Sequence, residues 1–229
     1  MNNRHISSAF DEDLRELDAL LEKMGSLALA QFVAVSDGLG QASADLTPLI
    51  ANDKNIDALD EAVYDKVVEI IALRSPQAED LRHIITALKI ASYVERIGDY
   101  ACNIIKRRNM MQAEGGDLGS LVAVNSIAGM AGEMLGDVLD ARTRSDAEKA
   151  KAVWLCDIDL DVKHSEIYQA VYQTMVKQGT TPTGINTLFI AKNIERIGDF
   201  CTSIAEQIYF AVHGTMLDDQ RPKADITSE

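Results

Sequence analysis

The sequence predicts an all-α protein built from two tandem, pseudo-symmetric three-helix bundles. Glycine and proline are sparse, with 14 and 4 residues among 229, and aromatic residues make up only 5% of the chain, a composition that favours helices over sheets. Apolar residues recur at three- and four-residue spacing almost throughout, which is typical of long amphipathic helices. The block Glu-Arg-Ile-Gly-Asp occurs twice, at residues 95–99 and 195–199. A repeat of such a long period indicates two copies of one structural unit.

Three helices are predicted in the first half, residues 1–113, at about 8–35, 46–73 and 76–111. The first has apolar residues at helical spacing, and Ser7 or Ser8 is a suitable N-cap before the acidic first turn. The second ends at Ser75, because a residue before proline avoids the helical region. Pro76 then opens the third helix. The glycine-rich segment 114–119 is the clearest linker in the chain.

The second half, residues 119–214, repeats this pattern with helices at about 121–143, 145–177 and 182–213. Pro182 lies 13 residues before Glu195, whereas Pro76 lies 19 residues before Glu95. The last helix should therefore be shorter at its start than the third by about a turn and a half. Residues 215–229 are charged and contain proline, and we expect a disordered tail.

Composition also bounds the partners and the compartment. The formal net charge is −14, which argues against nucleic acid, because phosphate backbones are bound by clustered lysine and arginine. It argues equally against an anionic membrane surface. The chain starts without the apolar core of a signal peptide, and no apolar run looks long enough to span a bilayer. We therefore expect a soluble cytoplasmic protein that does not insert into a membrane and does not bind nucleic acid.

Each Glu-Arg-Ile-Gly-Asp block places two acids four residues apart, and such residues share one helix face. They are Glu95 with Asp99 and Glu195 with Asp199. On a helical wheel these acids lie at the edge of the apolar stripe, and Arg96 projects about 100° away. Their own helix thus offers no nearby counter-charge. Two like charges at this spacing repel, and holding a cation is the simplest use for them.

Each middle helix carries a second acid pair at the same spacing, Asp53 with Asp57 and Asp157 with Asp161. In the first copy the pair shares a predicted stripe with Tyr64, Val68 and Ile71. Each half thus offers four carboxylates on adjacent helices. Clusters with oxygen ligands alone suit hard or borderline cations.

Simpler interpretations of these acids stay open. They could form a solvated helix face, or they could pair with Arg82, Arg96 or Arg196 from a neighbouring helix. Gly98 and Gly198 each cost about 1 kcal/mol relative to alanine in mid-helix, and either close helix approach or room for a metal cluster would explain them.

Motifs for catalysis are lacking in the sequence. His164 lies near the Asp157/Asp161 face, but we expect a surface histidine there rather than a ligand. No histidine follows a glutamate at the spacing of di-iron carboxylate proteins. The sequence also has no phosphate loop, catalytic triad or zinc spacing, so we predict no catalytic residues.

Three segments of the chain are distinctive: the opening ELDALLEKMGSLA, LKIASYVERIGDYACNIIKR and LFIAKNIERIGDFCTSIAEQIY. Through them the sequence resembles the PhoU family, over about residues 8–213. This resemblance implies two similar three-helix bundles that bind multinuclear metal clusters through paired acidic motifs. The ligands it implies are Asp53, Asp57, Glu95 and Asp99 in the first half and Asp157, Asp161, Glu195 and Asp199 in the second. Divalent or trivalent iron, manganese, magnesium or zinc ions all remain candidates.

The resemblance also implies a regulatory role without catalysis. PhoU-like proteins signal between the high-affinity phosphate ABC transporter, including its ATPase, and a membrane sensor histidine kinase. They act as negative regulators of the phosphate-starvation response and of uptake, and the resemblance implies a homodimer. The second copy departs from the family pattern, with Phe200 where a histidine is common and Ser203 where the first copy has Asn103. Two alternatives are a metal-dependent hydrolase or oxidase and a metal-free helical scaffold.

Overall fold

The fold of this chain is all-α, as predicted, and it is described here from a computed structural model. The structure describes residues 2–217, with side chains from residue 8 onward, and this range contains no strand. The expected disorder of residues 215–229 falls mainly outside it. The helices are α1 (Asn2–Gly38), α2 (Thr47–Arg74), α3 (Ala78–Ala113), α4 (Val122–Arg144), α5 (Ala147–Gln178) and α6 (Pro182–His213), with a short 3-10 helix (Leu118–Leu121) before α4.

The six helices pack as two three-helix units that share one hydrophobic core. Helices α1, α2 and α3 pack on one another, and so do α4, α5 and α6. Two contacts join the units: the most extensive contact between helices, which is that of α3 with α6, and a smaller one between α1 and α4. The core residues of α1 follow the predicted spacing, since Leu17, Leu21, Met24 and Ala28 are all buried. Two tandem, related three-helix bundles are therefore confirmed, with α3 and α6 back to back between them.

Two predicted helix starts are wrong. Helix α1 begins at Asn2 rather than at Ser7 or Ser8, because neither proline nor glycine interrupts the chain before residue 25. Helix α3 begins at Ala78 rather than at Pro76, because the chain turns between α2 and α3 through positive φ angles of 49° at Ser75 and 48° at Ala78, the first residue of α3. Helix α6 does open at Pro182, and it has 32 residues against 36 in α3. The predicted shortening is confirmed, at about one turn.

The connection between α1 and α2 is held by a buried arginine of α3. Arg108 is fully buried, and its Nε donates to the carbonyl of Leu39 at 3.0 Å. Its Nη2 donates to the carbonyls of Gln41 and Ala44. These carbonyls follow the end of α1, where the helix itself supplies no donors. The Arg108 side chain of α3 thus fixes the loop that connects α1 to α2.

Two segments are long and apolar enough to cross a membrane by length and composition alone, so the expectation that none is long enough is wrong. They are Ser8–Gly38 and Leu118–Arg144. The core helix of a soluble protein passes the same test. Here both segments contribute to the core, for example through Met24 and Leu135.

Candidate metal centre

In the first half, the glycine of the repeated block brings α2 close to α3. A Cβ atom added at Gly98 would lie 2.9 Å from Oδ1 of Asp53 and 3.1 Å from Cδ1 of Ile56. Real Cβ atoms rarely come so near to other heavy atoms. Close helix approach, one of the two explanations offered by the sequence, is therefore confirmed, and it places Asp53 against the block that carries Glu95 and Asp99.

The carboxylate of Asp53 lies in an unfavourable place for a negative charge. Its Oδ1 is buried, and no residue that the structure describes donates a well-aligned hydrogen bond to it. Burial raises the pKa of Asp53 and the charges of Asp57 and Asp99 add to the increase, whereas the nearby Cys102 thiol and Gln31 side chain oppose it. A buried carboxylate with raised pKa gains from any cation brought beside it.

Glu95 and Asp99 are only partly buried, with 27% and 44% of their side chains exposed. Burial raises the pKa of Glu95, and then the charge of Asp99 does so, while Arg96 opposes them and Asp60 and Asp57 add to the increase. The carboxylates of α2 and α3 thus interact with one another, as the sequence predicted.

Asp60 belongs to this group, and the sequence analysis missed it. It lies three residues after Asp57 and seven after Asp53, on the same face of α2. Burial and the charge of Asp57 raise the pKa of Asp60. Its spacing of three residues from Asp57 indicates the shared face as clearly as a spacing of four does.

Contrary to the helical-wheel prediction, the block has a counter-charge on its own helix. Arg96 Nε lies 3.6 Å from Oε2 of Glu95, and Nη1 lies 3.4 Å from Oδ2 of Asp99. A long arginine side chain can curl back across the helix surface although its Cβ points about 100° away. Because Arg96 is 58% exposed, such pairs contribute only about 0–1 kcal/mol.

We call the acids on α2 and α3 (Asp53, Asp57, Asp60, Glu95 and Asp99) the first constellation and the matching acids on α5 and α6 (Asp157, Asp161, Glu195 and Asp199) the second. The second constellation repeats the close approach of two helices at a glycine, and it lies deeper in the protein. A Cβ atom added at Gly198 would lie 3.0 Å from Oδ1 of Asp157 and would overlap Cδ2 of Leu160. Asp157 and Asp161 are 0% and 5% exposed, and Glu195 is 3% exposed. These acids are core residues, unlike their counterparts in the first half.

His164 is also part of this buried group, and the expectation of a surface histidine is wrong. It is 2% exposed and follows Asp161 by three residues, which is the spacing of Asp60 after Asp57. The two middle helices therefore carry corresponding sets, with aspartate in one copy and histidine in the other.

Basic side chains on α6 pair with the acids of the second block. Lys192 Nζ lies 2.8 Å from Oε1 of Glu195, and Arg196 Nη1 lies 3.1 Å from Oδ2 of Asp199. Burial and then the charge of Glu195 raise the pKa of Asp199, while Arg196 and Lys192 oppose that increase. The arginine pair has its counterpart in the first half, but the lysine does not, because Ser92 occupies the matching position.

The structure brings the predicted residues onto facing helices without closing a metal shell around them. Helices α2 and α3 pack together, as do α5 and α6. Within residues 2–217, no three acidic, histidine or cysteine side chains are gathered tightly enough to hold a metal ion as they stand. The eight predicted ligands therefore remain a prediction.

The predicted apolar stripe of α2 is wrong. Tyr64, Val68 and Ile71 are exposed. The core-facing residues of α2 are shifted by one position along the helix and are Ile56, Leu59, Val63, Val67 and Ile70. The face that carries Asp57 consequently looks outward, and this leaves the first constellation open to solvent.

Comparison with known proteins identifies the family. A sequence model of the PhoU domain matches residues 21–107 and again residues 124–208, and each match contains one Glu-Arg-Ile-Gly-Asp block. The chain belongs to the PhoU family. Among its relatives is the "phosphate-specific transport system accessory protein PhoU homolog" of Caulobacter vibrioides, which is 36% identical and covers 98% of this chain and 99% of that protein.

Further relatives agree in sequence and in fold. The protein of the same name from Zymomonas mobilis is 37% identical, over 97% of this chain and 94% of that protein. The crystal structure of PhoU from Pseudomonas aeruginosa has a TM-score of 0.86 and 29% identity, over 90% of this chain and all of that one. The PhoU fold thus spans nearly the whole chain.

Proposed function

We propose that this PhoU family member is a cytoplasmic accessory protein of phosphate transport that restrains phosphate uptake and the phosphate-starvation response. The observation that carries this proposal is the match to a named accessory protein over 98% of this chain and 99% of that relative. Both PhoU domains lie within the match. The shared region is therefore the whole two-unit architecture, rather than a single domain found in other settings.

We further propose that the protein works as a non-catalytic adaptor, joining the transporter ATPase to a sensor histidine kinase as a homodimer. Its surface supports a binding role. The outer face of α2 exposes Tyr64 at 56% and Val68 at 49%, next to the exposed acids Glu61 and Asp65. Apolar side chains grouped with acids suit a partner segment that is itself apolar and basic.

The proposed cation site is the first constellation. Its donor set fits a hard cation, because Asp53 has a buried oxygen to which no described residue donates a well-aligned hydrogen bond. Burial, together with the neighbouring carboxylates, also raises the pKa values of Asp53 and Glu95. Asp53, Asp57, Asp60, Glu95 and Asp99 would hold the ion. A bound cation would supply the positive charge that Arg96 now supplies only weakly, and it would clamp α2 to α3. Magnesium, manganese and iron fit these oxygen donors better than zinc does.

The regulatory proposal is tested by depleting the protein in its source organism during growth in phosphate-rich medium. A reporter for alkaline phosphatase should become constitutively active, and the wild-type protein supplied in trans should silence it. The adaptor is tested in parallel by co-purification with the transporter ATPase and with the sensor kinase. A reporter that stays silent on depletion would contradict negative regulation, and purified protein that binds neither partner would contradict the adaptor.

A further inference from the structure

The outer face of α2 carries an apolar stripe that stays exposed to solvent. Tyr64, Val68 and Ile71 are 56%, 49% and 39% exposed, and their spacing of four and three residues places them on one face of the helix. The short segment 75–77 joins α2 to α3, so the start of α3 lies beside the end of the stripe, and Leu81 there is 38% exposed. Single exposed apolar residues are ordinary on a protein surface, whereas an aligned group of them marks a contact surface.

The charges beside this stripe are negative. Glu61 and Asp65 are exposed and lie four residues apart along it. The two cations in the same part of α2 point the other way, since Lys66 Nζ lies 2.9 Å from Oδ1 of Asp13, and Arg74 Nε lies 2.8 Å from Oδ2 of that carboxylate on α1. The helix therefore directs its cations to α1 and keeps its acids on the outside.

The corresponding face of α5 lacks these two acids. Ser165 and Gln169 occupy their positions, and Ser165 is only 5% exposed. Tyr168, the counterpart of Tyr64, is half-buried, and its ring stacks on that of Tyr172 with centroids 6.3 Å apart and planes 5° from parallel. Because α2 and α5 hold the same place in the duplicated fold, the acidic apolar stripe of α2 is not a requirement of folding.

The pattern of the stripe favours a helix as its partner. Its residues follow one another at alternating intervals of four and three residues, and they are Asp57, Glu61, Tyr64, Val68 and Ile71. This is the spacing by which one helix packs along another. The acids lie where the flanking residues of a second helix would come, so they favour basic residues there. A second copy of this chain would instead bring acid against acid, which costs affinity.

We propose that the outer face of α2 docks a basic amphipathic helix of a partner protein. The apolar side of that helix lies on Tyr64, Val68 and Ile71, and its lysine or arginine side chains lie beside Glu61 and Asp65. This inference deepens the adaptor proposed above and rests on it only for the existence of a partner. The proposed homodimer would use a different face.

The probe is a fluorescently labelled peptide of about three heptads, with leucine at the core positions and lysine at the flanking ones. Control peptides separate shape from charge. One has the same composition in a scrambled order without helical spacing, and another has glutamate in place of lysine. Fluorescence anisotropy measures the binding of each peptide to metal-free protein at about 0.15 M ionic strength, at which distant charges are largely screened.

Val68→Lys tests the apolar part of the stripe, because it places a cation where the apolar side of the partner would lie. Its matched control is Tyr172→Lys, at the corresponding position of α5 and 46% exposed against 49% for Val68. We expect the wild type to bind the leucine–lysine peptide at least about tenfold more tightly than either control peptide. Val68→Lys should lose at least about tenfold in affinity, and Tyr172→Lys should bind like the wild type.

The double change Glu61→Gln with Asp65→Asn tests the acids. It should weaken binding of the leucine–lysine peptide by about threefold to tenfold and reduce the dependence of binding on salt. The matched control is Glu133→Gln with Asp137→Asn, which removes two exposed acids at the same spacing from α4 and should leave the affinity unchanged. All the substituted side chains are exposed, and thermal unfolding checks that each variant is folded.

Several outcomes would overturn the inference. If the scrambled peptide binds as tightly as the helical one, net charge alone attracts it. If Val68→Lys binds the peptide like the wild type, the peptide sits elsewhere. If sedimentation shows that Val68→Lys turns a dimer into monomers, a second copy covers this face.

The adaptor and this inference can fail separately, because co-purification tests the adaptor. If the transporter ATPase or the kinase co-purifies equally with the wild type and with Val68→Lys, the adaptor stands and the inference is wrong. If neither protein co-purifies but the peptide binds as expected, the inference stands and the adaptor is wrong.

Discussion

The sharpest test of the first constellation is the double change Glu95→Gln with Asp99→Asn, which removes two charges and keeps the side-chain shapes. In metal-free protein two effects oppose each other. Relief of repulsion between acids four residues apart gains about 0.2–0.5 kcal/mol, and further relief comes from Asp57 and Asp60. Loss of the exposed Arg96 pairs costs about 0–1 kcal/mol. The net change in the free energy of unfolding should therefore stay within about 1 kcal/mol.

Added metal should separate the two proteins. A cation that binds only the folded state stabilises it by about 2.7 kcal/mol at a hundred times its Kd. For a chain of this size, each kcal/mol shifts the Tm by about 2–4 °C, so Mn²⁺ should raise the wild-type Tm by about 5–10 °C. The variant should show almost no shift, because it lacks two of the five carboxylates.

The measurement is thermal unfolding of metal-free protein, with and without Mn²⁺, followed by calorimetry or circular dichroism. The matched control is Glu133→Gln with Asp137→Asn, which removes a glutamate and an aspartate at the same spacing from the exposed face of α4. An equal Mn²⁺ shift in the variant and the wild type would refute the assignment of these acids as ligands. No shift in the wild type, together with a more stable variant, would favour the metal-free scaffold.

Three further predictions concern the packing of the first half. Gly98→Ala should weaken Mn²⁺ binding and lower the Tm, because its methyl carbon would lie 2.9 Å from Asp53 Oδ1. The control Gly129→Ala, whose methyl carbon would have no neighbour within 4 Å, should stabilise α4 by about 1 kcal/mol. Denaturant titration of both variants measures the change in the free energy of unfolding. Arg108→Met should destabilise the fold by about 3–5 kcal/mol, because three carbonyls lose their buried donor, and proteolysis between α1 and α2 should then speed up. Hydrogen bonds from Lys66 and Arg74 of α2 lower the pKa of Asp13. The stability that the Asp13 carboxylate gives to the fold is therefore complete above the ordinary pKa of about 4 and is lost as the pH falls through the lowered value. The Tm measured from pH 7 to pH 2 should fall less in Asp13→Asn than in the wild type.

The fold was largely predictable from the sequence because its signals are local and repeated. Apolar spacing located all six helices, and Pro182 marked the start of α6. The errors lie where tertiary context decides. The start of α3 depends on left-handed backbone angles at Ser75 and Ala78, and neither serine nor alanine favours that conformation.

The sequence predicted which acids come together in the candidate site better than it predicted their ion pairs and their burial. The spacing of the acids indicated which carboxylates share a helix face, but side-chain reach and depth of burial follow from packing. Arg96 bends back onto its own block, a one-position shift of the core-facing stripe of α2 turns Asp57 outward, and the packing of α5 buries His164. A wheel drawn from one helix cannot show any of these effects, because the partner helix decides which edge of a stripe is covered.

The contact between α3 and α6 also brings the two copies of the block side by side. Helices α3 and α6 form the most extensive contact in the molecule, and Phe200 lies between Tyr93 and Tyr100, with ring centroids 5.9 and 5.8 Å away. Phe200 directly follows Asp199, and Tyr100 directly follows Asp99, so the two blocks meet through these rings. If α2 tightens on α3 when a cation binds to the proposed site, α3 would move against α6 at these rings, and their contact would transmit the change to the second half.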